Sequence, residues 1–207
     1  MCSFSVSTAQ ERRYSRECVP LVASQSRAPI LTRGARPRLA QTILERIKAE
    51  YNNGGEGFDA DKVTPTVGLN IARARANGLR LMFWDLGGQR GLRSIWDKYY
   101  LEAHGLVFVV DSTDQARLDE AGEELAKVMD HGEMDGVPVL LLANKQDVDD
   151  AVPAADVTGR MAVAHMDDAT RQVRVQAVSA TEGMGIDEGL EWLCETMRET
   201  ERFRKAS

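Results

Sequence analysis

The chain has 207 residues, 43% hydrophobic and 28% charged, which suffices for one well-buried domain plus a tail of ordinary soluble composition. Its net charge of −6 is uneven: residues 1–38 hold seven Arg against two Glu, a local +5 that leaves −11 on the remainder, and an acidic body speaks against general nucleic-acid binding. Cys2, Cys18 and Cys194 are odd in number and in no metal spacing, so the sequence indicates neither a disulfide framework nor a zinc site and points to a reducing compartment.

Residues 1–38 are rich in Ser and Arg and poor in acids, the composition of a transit peptide, but Pro20, Pro29 and Pro37 interrupt a long amphipathic helix. They are read as a leader, disordered or the product of a wrongly predicted first exon, with organelle targeting as the minor alternative, and the domain is drawn at 39–207. Cys2 in place of Gly at position 2 excludes N-myristoylation, and the end Arg204-Lys205-Ala206-Ser207 offers no prenylation cysteine. No apolar run reaches the length of a membrane span.

Ile30-Leu31-Thr32 offers a weak first strand. Leu44, Ile47 and Tyr51 recur at helical spacing within 41–51, and Asn52-Asn53-Gly54-Gly55 stops that helix. The period then changes to two: Leu69–Arg75 and Leu79–Asp85 read as strands joined by Ala76-Asn77-Gly78, since Asn followed by Gly suits a tight hairpin. Strands over 105–111, 137–143 and 173–178 alternate with helices around 115–130, 153–164 and 186–202. Such alternation predicts an α/β fold, a mostly parallel sheet with helices on both faces, whose ligands sit beyond the carboxyl ends of the strands. Asp85, Asp111, Asn144 and Ser179 all stand at those ends.

Two of these strand ends carry chemistry. Asn144-Lys145-Gln146-Asp147 follows a buried-looking strand; an ionised Asp147 can accept from both the ring N–H and the exocyclic amine of guanine, a donor pair that adenine lacks. Lys145 can lay its stem over the base, Asn144 can tie the loop to neighbouring backbone, and the N–H groups of Ser179-Ala180-Thr181 can meet the guanine carbonyl. In Trp84-Asp85-Leu86-Gly87-Gly88-Gln89, Asp85 can reach a magnesium ion, the Gly88 N–H can approach a γ-phosphate unobstructed, and Gln89 stands where an attacking water is oriented. Thr66 can offer its hydroxyl to the same magnesium. Taken singly each motif reads equally as a turn or a solvated loop; their joint occurrence gives them weight. His104, His131 and His165 lack a ligand or nucleophile partner and read as packing residues, as do Met129, Met134, Trp192 and Phe203.

Thr64–Asn70, Leu81–Gln89, Leu92–Tyr100, Val110–Asp114 and Leu141–Asp147 together resemble the Arf family of small GTPases, and Gly68-Leu69-Asn70 with Trp96-Asp97-Lys98-Tyr99-Tyr100 is most similar to its Arf-related subgroup. The resemblance runs from about Thr42 to the C-terminus. It implies a Ras-like fold with a six-stranded sheet and binding of GTP and GDP with Mg2+. It implies Thr66 and Asp85 as metal residues, Gly88, Asn144, Lys145, Asp147, Ser179 and Ala180 as nucleotide residues, and Gln89 as the catalytic residue. Further implications are an exchange factor, a GTPase-activating protein and effectors meeting the switch and interswitch regions, peripheral attachment to Golgi membranes from the cytoplasm, and a role in vesicle and protein trafficking. The interswitch hairpin, Leu69–Asp85, would shift register between nucleotide states.

One part of the pattern departs. The phosphate loop GxxxxGK[ST] should precede the helix near Gln41, yet Gly34-Ala35-Arg36-Pro37-Arg38-Leu39-Ala40-Gln41 keeps only the first glycine. Leu39, Ala40 and Gln41 stand where the family has glycine, lysine and threonine, and Pro37 withholds an N–H. Loss of two charge-assisted contacts predicts binding about 3–6 kcal/mol weaker. A rival reading follows: a pseudo-GTPase that binds partners through its hairpin without nucleotide.

Overall fold

The computed structural model describes residues 17–18, 20–24, 39–53, 69–86, 96–167 and 170–205. They build an α/β sandwich from strands β1 (Glu17–Cys18), β2 (Pro20–Ser24), β3 (Leu69–Ala76), β4 (Leu79–Leu86), β5 (Gly105–Asp111), β6 (Val139–Asn144) and β7 (Val173–Ala177). The helices are α1 (Leu39–Asn53), α2 (Asp97–Tyr100), α3 (Leu118–Met129), α4 (Ala154–Arg160), α5 (Ile186–Glu199) and α6 (Glu201–Lys205). β3 is antiparallel to β4; every other pairing is parallel, and from the β3 edge the sheet runs β4, then β1 and β2, then β5, β6 and β7.

The first strand position corrects the sequence reading. The strand paired between β4 and β5 is not Ile30–Thr32, which lies outside the described residues, but β2, where Leu21 is in register with Trp84 on one side and Leu106 on the other. β1 continues that position along β4, so the sheet has seven strand segments among the described residues where six were expected, and it draws on the stretch read as a leader. The cause is composition. Val19-Pro20-Leu21-Val22-Ala23 is a short apolar run hidden among Ser and Arg, and Pro20 argues against a strand interior. Pro20 in fact opens β2, a position where its missing N–H is tolerated.

Elsewhere the periodicities are realised with small shifts. The β3–β4 hairpin turns at Asn77 and Gly78, with φ of 48° and 74°, and Ala76 pairs with Leu79 across the two-residue loop. Pro138 delays β6 to Val139, and its last residue, Asn144, pairs with Asp111, the last of β5. The expected helix over 186–202 is two helices, because Thr200 takes extended backbone and its Oγ1 accepts from the Phe203 N–H at 3.3 Å, capping α6.

β5 up to Val110 and all of β6 are buried, so their residues divide between two cores. Val107, Val109, Leu140 and Leu142 pack with Ile43, Leu44, Ile47 and Phe83 under α1 and α5, and Leu106, Phe108, Leu141 and Val139 pack with Leu118, Leu125, Trp96 and Tyr100 on the other face. Both layers hold β5 and β6 rigidly, and the carboxyl ends of these two strands are where the polar residues converge.

Candidate nucleotide-binding site

At the end of β6 the side chain of Asn144 is buried, and its Oδ1 accepts two backbone N–H groups: Lys145 at 2.8 Å and Ala180 at 3.0 Å. One amide oxygen therefore joins loops that are 36 residues apart. Lys145 has a φ of 72°, a strained conformation for a side chain of its size, and it is held there from both ends. Its N–H goes to Asn144, and its Nζ donates to Asp111 Oδ2 at 2.5 Å. Asp111 Oδ1 accepts in turn from the Thr113 N–H at 3.1 Å and hydroxyl at 2.7 Å. Burial alone would raise the Asp111 carboxyl, but the Lys145 ammonium and the Thr113 donors outweigh it and hold the group below its ordinary value.

The loop is anchored along its length. The Gln146 N–H donates to Val178 O at 3.1 Å and its side-chain amide to Val152 O at 2.9 Å, and Ser112 N–H donates to Asn144 O at 3.0 Å. Asp147, the next residue, is exposed. The second loop closes on itself: Ser179 N–H donates to Met184 O at 3.0 Å, Ser179 Oγ lies 3.0 Å from Thr181 Oγ1, and Glu182 N–H donates to Ser179 Oγ at 3.2 Å. Asn144, Lys145, Ser179 and Ala180 thus come together in one bonded pair of loops, and Asp147 is exposed in the first of them. The Ala180 N–H expected to face a base carbonyl donates here to Asn144.

Two further residues belong to this constellation. Asp111 was visible as a carboxylate at a strand end, but its bond to Lys145 arises from the β5–β6 register. Arg46, on α1, donates from Nε to Ala180 O at 3.1 Å and from Nη2 to Thr181 O; no local pattern marks it.

The other end of the site is built differently. Asp85 is buried near the end of β4, in register with Asn70 on β3 and Val22 on β2. Thr66, Gly88 and Gln89 lie outside the described residues. Leu39 and Ala40 form the first turn of α1 and are buried in the apolar core, and Gln41 beside them is buried too. Asp147, exposed after the end of β6, has the acceptor chemistry that the ring N–H and amine of guanine require. Leu39, Ala40 and Gln41 supply neither a cation for phosphates nor a hydroxyl for Mg2+, so that part of the site does not fit those groups.

A mainly parallel sheet with helices on both faces and two loops bonded to each other at its carboxyl edge has the architecture of the small GTPase fold. Among solved structures, a small GTPase from Trypanosoma brucei, Arl6 BBS3 with the bound nucleotide analogue GppNp, superposes with a TM-score of 0.70 at 24% identity, covering 89% of this chain and 99% of that one. ADP-ribosylation factor-related protein 1 of Rattus norvegicus and of Homo sapiens are each 45% identical over 152 residues, 73% of this chain and 76% of theirs. ADP-ribosylation factor-like protein 3 of Saccharomyces cerevisiae is 37% identical over 164 residues, 79% of this chain and 82% of its own. The ADP-ribosylation factor family profile matches residues 40–197, and the chain belongs to that family.

Proposed function

We propose that the chain is a guanine-nucleotide switch, alternating between GTP and GDP and hydrolysing GTP slowly unless an activating protein assists. The observation that carries this reading is the Asn144 carboxamide oxygen bonded to both base loops, with Lys145 locked onto Asp111 and Asp147 exposed beside them. In this reading Asp147 selects guanine by accepting from two donors that adenine lacks, and Lys145, Ser179 and Ala180 enclose the base. Gly88 meets the γ-phosphate, Gln89 orients the attacking water, and Thr66 with Asp85 are the magnesium residues. The switch passes to exchange factors, activating proteins and effectors through the hairpin and the segment after it. Its setting in vesicle and Golgi protein trafficking, from the cytoplasm and peripherally on Golgi membranes, rests on resemblance to the Arf-related subgroup.

A specific observation favours a second reading. Leu39 and Ala40 are buried apolar residues where family members present glycine and lysine to phosphates, which supports a degenerate phosphate loop and hence a pseudo-GTPase that binds partners without nucleotide. Chromatography of nucleotide released from the purified, denatured protein separates the two. Stoichiometric GDP supports the switch, and protein that elutes empty and stays unloaded by GDP with Mg2+ supports the binding module.

A further inference from the structure

Arg46 lies in the middle of α1, yet its guanidinium reaches the loop after β7, 134 residues away in the chain. It donates to two successive carbonyls, Ala180 O at 3.1 Å and Thr181 O, and it faces the turn that follows. A Cβ added to Gly183, whose φ is +79°, would meet Arg46 Cζ at 3.6 Å, an ordinary van der Waals distance, so the guanidinium faces this turn with room for one methyl group between them. Because the peptide group is planar, fixing the Ala180 and Thr181 carbonyls also fixes which way the Thr181 and Glu182 N–H groups face. Asn144 holds the preceding N–H, that of Ala180, from the other loop. Three consecutive peptide groups of the loop are therefore set by two side chains, one from β6 and one from α1.

We propose that Arg46 is a positioning residue for the base. It holds the 179–182 loop in the shape in which the Thr181 N–H, the donor of this loop not bonded within it or to Asn144, reads the 6-carbonyl of guanine, while Asp147 independently reads the 2-amine and ring N–H. The inference rests on the guanine reading above. A forked, planar donor suits the task, since two parallel N–H groups can take two neighbouring carbonyls in one orientation, which a lysine ammonium does less rigidly. α1 thereby takes part in base recognition from a helix whose first turn, Leu39 to Gln41, carries none of the family's phosphate ligands.

The test compares wild type, Arg46→Ala and Arg46→Lys by competition with GDP, IDP, which lacks the 2-amine, and 6-thio-GDP, which replaces the 6-carbonyl by a poor acceptor. Thermal midpoints are measured without nucleotide in parallel. Arg46→Ala is expected to weaken GDP and IDP by the same factor, about tenfold, the size of one hydrogen bond. It should weaken 6-thio-GDP less, so that the preference for GDP over 6-thio-GDP shrinks while that for GDP over IDP stays. Arg46→Lys should restore part of the first preference. If Arg46→Ala lowers the thermal midpoint and leaves both preferences unchanged, Arg46 only braces the fold and the proposal falls. If wild type prefers GDP over IDP but does not distinguish 6-thio-GDP, the loop does not read the carbonyl; the proposal falls and the guanine reading stands. If wild type prefers GDP over neither, both fall.

Discussion

The two ends of the nucleotide site are built on opposite principles. At the base end, polar groups from β5, β6, the loop after β7 and α1 satisfy one another: Asp111 with Lys145 and Thr113, Asn144 with Lys145 and Ala180, and Arg46 with Ala180 and Thr181. At the first turn of α1, where the family resemblance puts the phosphates, Leu39 and Ala40 turn into the core with Ile43 and Leu44. The base end can be pre-organised because its donors are fixed by buried strand ends. Leu39 and Ala40 gain stability from apolar packing instead, and apolar packing supplies nothing that binds an anion. The proposed function accordingly separates two quantities, selectivity for the base and affinity for the phosphates, that the two ends govern independently.

The largest expected effect comes from exchanging one design for the other. Leu39→Gly with Ala40→Lys and Gln41→Thr restores close approach, a cation and a hydroxyl, and titration of fluorescent GDP should show roughly hundredfold tighter, newly Mg2+-dependent binding. Because Ala40 is fully buried, the same variant without nucleotide should unfold more easily, by about 2–3 kcal/mol, in urea titration. Equal stability and unchanged affinity would show that the three residues are not the source of the contrast.

Breaking the base end comes next. Asn144→Ala leaves the Lys145 and Ala180 N–H groups without their acceptor at a buried position, which should cost about 2–4 kcal/mol in chemical denaturation. A loss well under this would mean that the loops are held together elsewhere.

Asp111→Asn is the smallest change, about 1–2 kcal/mol at neutral pH for a partly buried charge-assisted bond. Its sign with pH follows from the lowered folded-state carboxyl. The contribution is complete above the unfolded carboxyl's value, near 3.9, and is lost as pH falls through the lower folded value, where the unfolded chain binds the proton first. Wild type and Asp111→Asn should thus differ by a constant amount between pH 5 and 8 and converge in acid. A difference that changes across neutral pH would remove the ion pair from the account.

These contrasts were unequally legible. β5 and β6 stand out because buried parallel strands read as unbroken apolar runs, and the Asn77-Gly78 turn follows from two residues that tolerate positive φ. The β1–β2 position escaped notice because its five apolar residues include a proline and sit in a stretch whose overall composition suggests a leader. In the site, Asn144, Lys145 and Asp147 are adjacent and announce their chemistry locally. Asp111 and Arg46 do not, since their partners are brought to them by strand register and by helix packing across the sheet. That Leu39 and Ala40 depart from a phosphate loop is plain from residue type; that they are buried in the core required the fold.

The most direct test of a selective base end joined to a weak phosphate end is a side-by-side titration of GDP, ADP and guanosine against the unmodified protein with Mg2+ present. GDP should be preferred strongly over ADP, while its advantage over guanosine stays below about a hundredfold, the signature of phosphates that add less than about 3 kcal/mol. Equal binding of GDP and ADP would contradict the base-end assignment. An advantage of GDP over guanosine beyond about ten-thousand-fold, abolished by removing Mg2+, would contradict the phosphate-end account and assign the phosphates to other residues of the chain.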